Sequence, residues 1–264
     1  MGGLRNFLIL LAVTALLAGP LVARESTPKP NVSFENFGEK VDGILRKPEG
    51  EGPFPAVVLL HPCGGLGRIF VTDWPDYLNG LGYVTLAVDS TGSRFSGKCP
   101  NRVRRELTTR VFDAYAGLDY LTTLPYVDKK KIAVMGFAFG AATINRGLVS
   151  GRSKASGDTD FMAAIALYGH CSGMGSDFYK MPVMEIVGSK DSSVVDSCRF
   201  LGKKPHIYRS MSLHILPGVY HAFDQSDALK LKDDGSGNPM LYDPEATKKA
   251  QELTKAFLAK NLGE

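Results

Sequence analysis

No C-x-x-C or C-x-x-H spacing links the four cysteines, no internal repeat or low-complexity block occurs, and 264 residues contain a single tryptophan. The missing spacings remove the usual signatures of a zinc site, and nothing in the sequence asks for a cofactor. Charge of one sign is also scarce: 31 Lys+Arg against 27 Asp+Glu leave a net +4. So small and dispersed an excess gives no electrostatic footprint for nucleic acid. The longest apolar run, Phe7 to Leu17, has eleven residues, whereas a spanning helix needs about 20. What the chain does have, 44% hydrophobic residues, is enough to build the core of one ordinary domain.

That apolar run follows Arg5 and ends in Ala18-Gly19-Pro20 and the small-residue stretch Leu21-Val22-Ala23. This is the layout of a secretory signal peptide over residues 1–23, preceding a mature domain of residues 24–264. An uncleaved anchor, extended past Gly19-Pro20, is the alternative. Export to a periplasm or the exterior makes disulfides the natural reading of Cys63, Cys99, Cys171 and Cys198. Three pairings are open; the favoured one joins Cys63 to Cys99 and Cys171 to Cys198, and four separate buried thiols is the remaining possibility.

Downstream of a polar, Pro-containing stretch from Arg24 to Asn31, strand-like runs alternate with helical patterns, which predicts a mostly parallel sheet with helices on both faces. Strands are expected at Ala56–Leu60, Tyr83–Val88, Ile132–Met135, Met162–Leu167, Val183–Val187 and Leu213–Leu216. Leu107, Val111, Ala114, Leu118 and Leu121 form one apolar helical stripe that Pro125 ends. Asp73, Pro75 and Gly82 mark a short helix, and Asp243-Pro244 opens a last one. Lys129-Lys130-Lys131 reads as a solvated turn and Lys232 to Asn238 as a mobile loop.

The chemistry is concentrated in three places. Gly136-Phe137-Ala138-Phe139-Gly140, placed between a strand and a small-residue helix, has the pattern of a nucleophile elbow whose central residue carries a methyl group in place of a hydroxyl or thiol. Asp191, in Gly188-Ser189-Lys190-Asp191, and His221, in Gly218-Val219-Tyr220-His221, each follow a strand. Their order, acid and then histidine, is the one such an elbow requires. The carboxyl ends of parallel strands are where open sheets place their sites. An oxyanion hole would take one amide from Phe139 and a second from the loop after Leu60, where Pro62 has no N–H, so Cys63 is the donor expected there.

These residues resemble the dienelactone hydrolase family, in particular its exported members, over most of the mature chain. The matching stretches are Val57 to Gly65, Gly82 to Ser90, Asp113-Ala114-Tyr115, Ile132 to Phe137 and the Asp191 and His221 segments. The resemblance implies an α/β-hydrolase fold and hydrolysis of small esters or lactones by a Cys or Ser nucleophile, a His base and an Asp. Asp191 and His221 match that set residue for residue, while Ala138 departs from it. Arg94 looks like an arginine that binds a substrate carboxylate. Two readings follow: a weak exported hydrolase in which His221 activates water directly, or a non-catalytic protein that holds a small carboxylate or acyl ligand in the same pocket.

Overall fold

The computed structural model describes residues 29–92, 103–148, 159–171, 180–203, 210–233 and 239–263. An eight-stranded sheet runs through them in the order β1-β2-β4-β3-β5-β6-β7-β8. Its strands are β1 (Val32–Asn36), β2 (Glu39–Arg46), β3 (Phe54–Leu60), β4 (Val84–Asp89), β5 (Val127–Phe137), β6 (Ala163–Leu167), β7 (Val183–Gly188) and β8 (Met211–Leu216). The first two run antiparallel to their neighbours, and every pairing from β4 to β8 is parallel.

Ala56 to Leu60 is wholly inaccessible because the strand is covered on both sides. Val58 and Leu60 join the core on one face, and Val57 and Leu59 join the core on the other. The helix α2 (Val103–Thr122) buries Val111, Ala114, Leu118 and Leu121 on the first face, together with Val194, Val195 and Leu201 of α4 (Ser192–Gly202). On the second face lie α1 (Trp74–Gly80) and α5 (Pro244–Leu258). The short α3 (Phe139–Thr143) leaves the carboxyl end of β5 and runs into a π-helical turn, Ile144–Leu148. Among the described residues no helix is long and apolar enough to cross a membrane.

Several expectations need correction. The three lysines are not a turn but part of β5, beside a register shift against β3 between Phe54 and Ala56, where their side chains reach solvent. Lys232–Asp233 forms a two-residue strand, β9, paired with β10 (Pro239–Met240), and the rest of the expected mobile loop lies outside the described residues. Asp73 stands at the start of α1 but makes no side-chain cap; its carboxylate instead accepts from Arg68 and Thr72. Asp243 does cap α5, accepting from the Ala246 amide at 2.9 Å.

Gly140 sits where β3, β5 and α3 converge, and a Cβ there would overlap the Leu60 carbonyl oxygen. Gly140→Ala is therefore expected to destabilise the fold by about 3 kcal/mol, the upper part of the overpacking range. Urea unfolding measures this, and a loss below about 1 kcal/mol would show that the strand and helix can separate freely.

Candidate active site

The chain reverses sharply at Ala138, whose backbone has φ 48° and ψ −107°. This left-handed conformation costs a residue with a side chain roughly 1 to 2 kcal/mol. The surroundings impose it. The Ala138 amide donates to the Leu167 carbonyl on β6 at 3.0 Å. A Cβ on Gly136 would lie 2.5 Å from the Gly140 carbonyl group, so helix and strand can close on each other only through the two glycines. The expected strand–turn–helix is thus present at residues 136–140.

Asp191 and His221 meet. Asp191 ends the turn after β7 and His221 lies beyond β8; His221 Nδ1 donates to Asp191 Oδ2 at 2.6 Å, with both side chains buried. Since Nδ1 carries the proton that is donated to the carboxylate, Nε2 is left as the basic nitrogen. Backbone bonds hold the two loops together: Lys190 N–H to the Val219 carbonyl and Ser189 N–H to the Leu216 carbonyl, both at 2.9 Å. A side chain at Gly188 would collide with the Val219 carbonyl. The backbone of His221 is anchored on β10, its amide donating to the Pro239 carbonyl at 3.1 Å.

A second buried group backs this pair and was not visible in the sequence. The Tyr168 ring, just past β6, packs edge-on against the His221 ring with centroids 4.9 Å apart. Its hydroxyl donates to Asp224 Oδ1 at 2.7 Å, and Trp74 Nε1–H donates to Asp224 Oδ2 at 2.8 Å. Burial pushes the Tyr168 phenol well above its usual value, and the adjacent Asp224 carboxylate adds to the effect. His170, two residues on, is half-buried; burial lowers its pKa, with Asp191 opposing and His221 and Arg146 reinforcing the change. Placement after a strand's carboxyl end was the one signal in the sequence that could have drawn Tyr168 and His170 into the site.

The loop after β3 is fastened from beneath. Arg110 of α2 is completely buried, donates to the His61 carbonyl, and lies with its guanidinium carbon 5.2 Å from the Phe139 ring centroid. His61 is also inaccessible, and its Nε2 accepts the Ser90 amide at 3.1 Å. Burial, and next the Arg110 charge, hold the His61 imidazole well below its ordinary pKa, so it is neutral. The segments bearing the Phe139 and Cys63 amides are thereby neighbours, since Gly140 rests against Leu60 and His61. Cys63 is disulfide-bonded, and its expected partner, Cys99, lies outside the described residues, as does Arg94. Cys171 and Cys198 are joined to each other as expected.

The dienelactone hydrolase family profile matches residues 41–262. The chain is 33% identical over 107 residues to the esterase FrsA of Klebsiella pneumoniae, covering 39% of this chain and 24% of that protein. It is 37% identical over 105 residues to the uncharacterized protein YcjY of Escherichia coli, covering 39% and 34%. It thus spans about a quarter to a third of the curated relatives it matches. Among solved structures it is similar to a dienelactone hydrolase-like promiscuous phosphotriesterase from metagenomic libraries, with TM-score 0.68, 20% identity and coverage of 87% and 96%. It is also similar to a dienelactone hydrolase from Anabaena variabilis, with TM-score 0.65, 17% identity and coverage of 89% and 99%. The fold is that of these α/β hydrolases.

Two outcomes follow from the geometry. Ala138→Gly removes the side chain from a left-handed position, so it should leave stability unchanged or raise it by up to about 1 kcal/mol after glycine's own entropy is charged against it; a loss in urea unfolding would mean the turn is not under tension. For His61, the folded state resists protonation while the unfolded chain accepts a proton near pH 6.5. Stability is therefore complete above pH 6.5 and falls as the pH drops below it, by at most about 1.4 kcal/mol per pH unit. His61→Asn should flatten that part of the pH–stability curve, and an unchanged slope would remove His61 as its source.

Proposed function

The chain belongs to the dienelactone hydrolase family, and we propose that it is an exported relative acting on small esters or lactones, with Ala138 in the position of the nucleophile. The observation that carries this reading is the buried 2.6 Å bond from His221 to Asp191, on the same end of the sheet as a left-handed turn at residue 138. The apolar run of residues 7–17 and the small residues before Arg24 support export of residues 24–264.

In the reaction, His221 Nε2 removes a proton from water while Asp191 stabilises the resulting imidazolium. The hydroxide adds to the acyl carbon, and the Phe139 and Cys63 amides hold the developing oxyanion. As the tetrahedral species collapses, the imidazolium returns its proton to the leaving alcohol. Without a hydroxyl or thiol at residue 138 there is no covalent acyl intermediate, so turnover is slow. Arg94 is the proposed anchor for a substrate carboxylate. The methyl group of Ala138 equally favours the second reading, in which the pocket holds a small carboxylate or acyl ligand and performs no chemistry.

Hydrolysis of an activated aryl ester and an enol lactone separates the two. The natural chain should be slow, and Ala138→Ser and Ala138→Cys should accelerate turnover by about 10³-fold or more, with the gain lost on adding His221→Ala. If neither replacement is faster than the natural chain, residue 138 is not a nucleophile position. Slow activity in the natural chain that survives His221→Ala would favour the ligand-holding reading.

A further inference from the structure

Behind the site, between β7 and α4, lies a buried polar cluster that the hydrolytic reading does not use. Glu185 occupies the middle of β7, flanked by Met184 and Ile186, and is completely inaccessible. Neither of its carboxyl oxygens makes a hydrogen bond of good geometry among the described residues. Asn145, which faces it from the turn after α3, likewise leaves Oδ1 without a donor. Asn145 Nδ2 is 3.8 Å from Cys171 Sγ. The Cys171 and Cys198 sulfurs and a Glu185 oxygen all lie within 4.8 Å of one another, in a fully buried group.

A carboxyl with Asn145 as its one polar neighbour shown in an otherwise apolar surrounding is costly to bury, and an aliphatic side chain would serve the packing better. Burial accordingly pushes the Glu185 carboxyl well above its ordinary pKa, favouring its protonated form, while a side-chain hydrogen bond from Asn145 opposes the shift. A cation at this point would give that carboxyl, and the Asn145 oxygen, a partner.

We propose that when the Cys171–Cys198 bond is reduced, its two sulfurs and Glu185 form a binding site for one thiophilic divalent cation such as Zn²⁺. A tetrahedral zinc with bonds of about 2.3 Å to sulfur and 2.1 Å to oxygen holds its ligand atoms roughly 3.6 to 3.8 Å apart. Reaching that geometry requires the sulfurs to part from bonding distance by side-chain rotation and the carboxyl oxygen to move in. The donor set selects the metal. Two soft sulfurs suit zinc or cadmium, whereas magnesium and calcium demand oxygen ligands and magnesium keeps several waters, for which a dry core has no room. Asn145 Oδ1 is the nearby candidate for a fourth ligand.

The chemistry balances with a trialkylphosphine as reductant. The S–S bond breaks, the phosphine supplies two electrons and becomes its oxide with an oxygen from water, and the two water protons convert the sulfurs to thiols. As the two metal–sulfur bonds form, each thiol releases its proton to the buffer; Glu185 releases its own on coordinating as carboxylate. The cation would then join the same two segments as the disulfide does: Cys171, three residues beyond Tyr168, and α4, which begins immediately after Asp191.

The test uses the full mature chain, reduced with a phosphine under argon. Zn²⁺ is titrated against a chromophoric chelator, and Cd²⁺ is titrated while the sulfur-to-cadmium charge-transfer band is recorded. Cys171→Ser with Cys198→Ser keeps Cys63 and Cys99, and so subtracts any contribution from that pair. Reduced natural protein should take up one more equivalent of Zn²⁺ than this double variant, with a dissociation constant below about 1 μM, and oxidised protein should take up none. Glu185→Gln, which preserves volume and disulfide, should weaken binding tenfold or more. The proposal is overturned by equal uptake in reduced natural and double-serine proteins, or by undiminished affinity in Glu185→Gln. A reduced chain that loses its near-ultraviolet circular dichroism and does not regain it with Zn²⁺ also overturns it.

Discussion

The site is organised by a backbone contact: the Leu60 carbonyl at the end of β3 lies so close to Gly140 that no side chain fits between them. That contact fixes where α3 begins, and α3 can begin there only if the chain turns through a left-handed residue at 138. It also sets the Phe139 amide beside the loop that carries Cys63. Arg110 completes the arrangement by holding the His61 carbonyl while its guanidinium covers the Phe139 ring. None of these restraints involves the side chain of residue 138. The framework can therefore persist with a methyl group where chemistry would require a heteroatom.

Burying so many polar groups at one end of a sheet is costly unless each finds a partner. Here they are paired in sets: Asp191 with His221, Asp224 with Tyr168 and Trp74, His61 with the Ser90 amide and Arg110. The first two sets meet where the Tyr168 ring packs against the His221 ring, and charge couples them as well, Asp191 acting on Tyr168 and His221 on Asp224. The apolar layers on the two faces of the sheet hold the strand ends in register, and the loops between them inherit that rigidity.

The central strands were legible in the sequence because they are buried on both sides, which leaves uninterrupted apolar runs such as Ala56 to Leu60. The hairpin of β1 and β2 was missed for the opposite reason. It lies at the sheet's edge, mixes charged with apolar residues, and turns through Phe37-Gly38 at φ 50° and 78°. The helix α4 was missed because the residue that should announce it, Asp191, sends its carboxylate to His221 and makes no side-chain cap. Asp191, His221 and the turn at Ala138 could be read from local pattern and order along the chain. Tyr168, Asp224, Trp74 and Arg110 could not, because their hydrogen-bond partners are 49 to 150 residues distant.

The link from Trp74 through Asp224 to Tyr168 has a practical consequence. The chain has one tryptophan, and its indole N–H is hydrogen-bonded two side chains away from the His221 ring. Its tryptophan fluorescence thus originates at a single known point near the imidazole. Carboxylates quench indole emission according to their distance and protonation, so light from this protein reports on the site without any attached label.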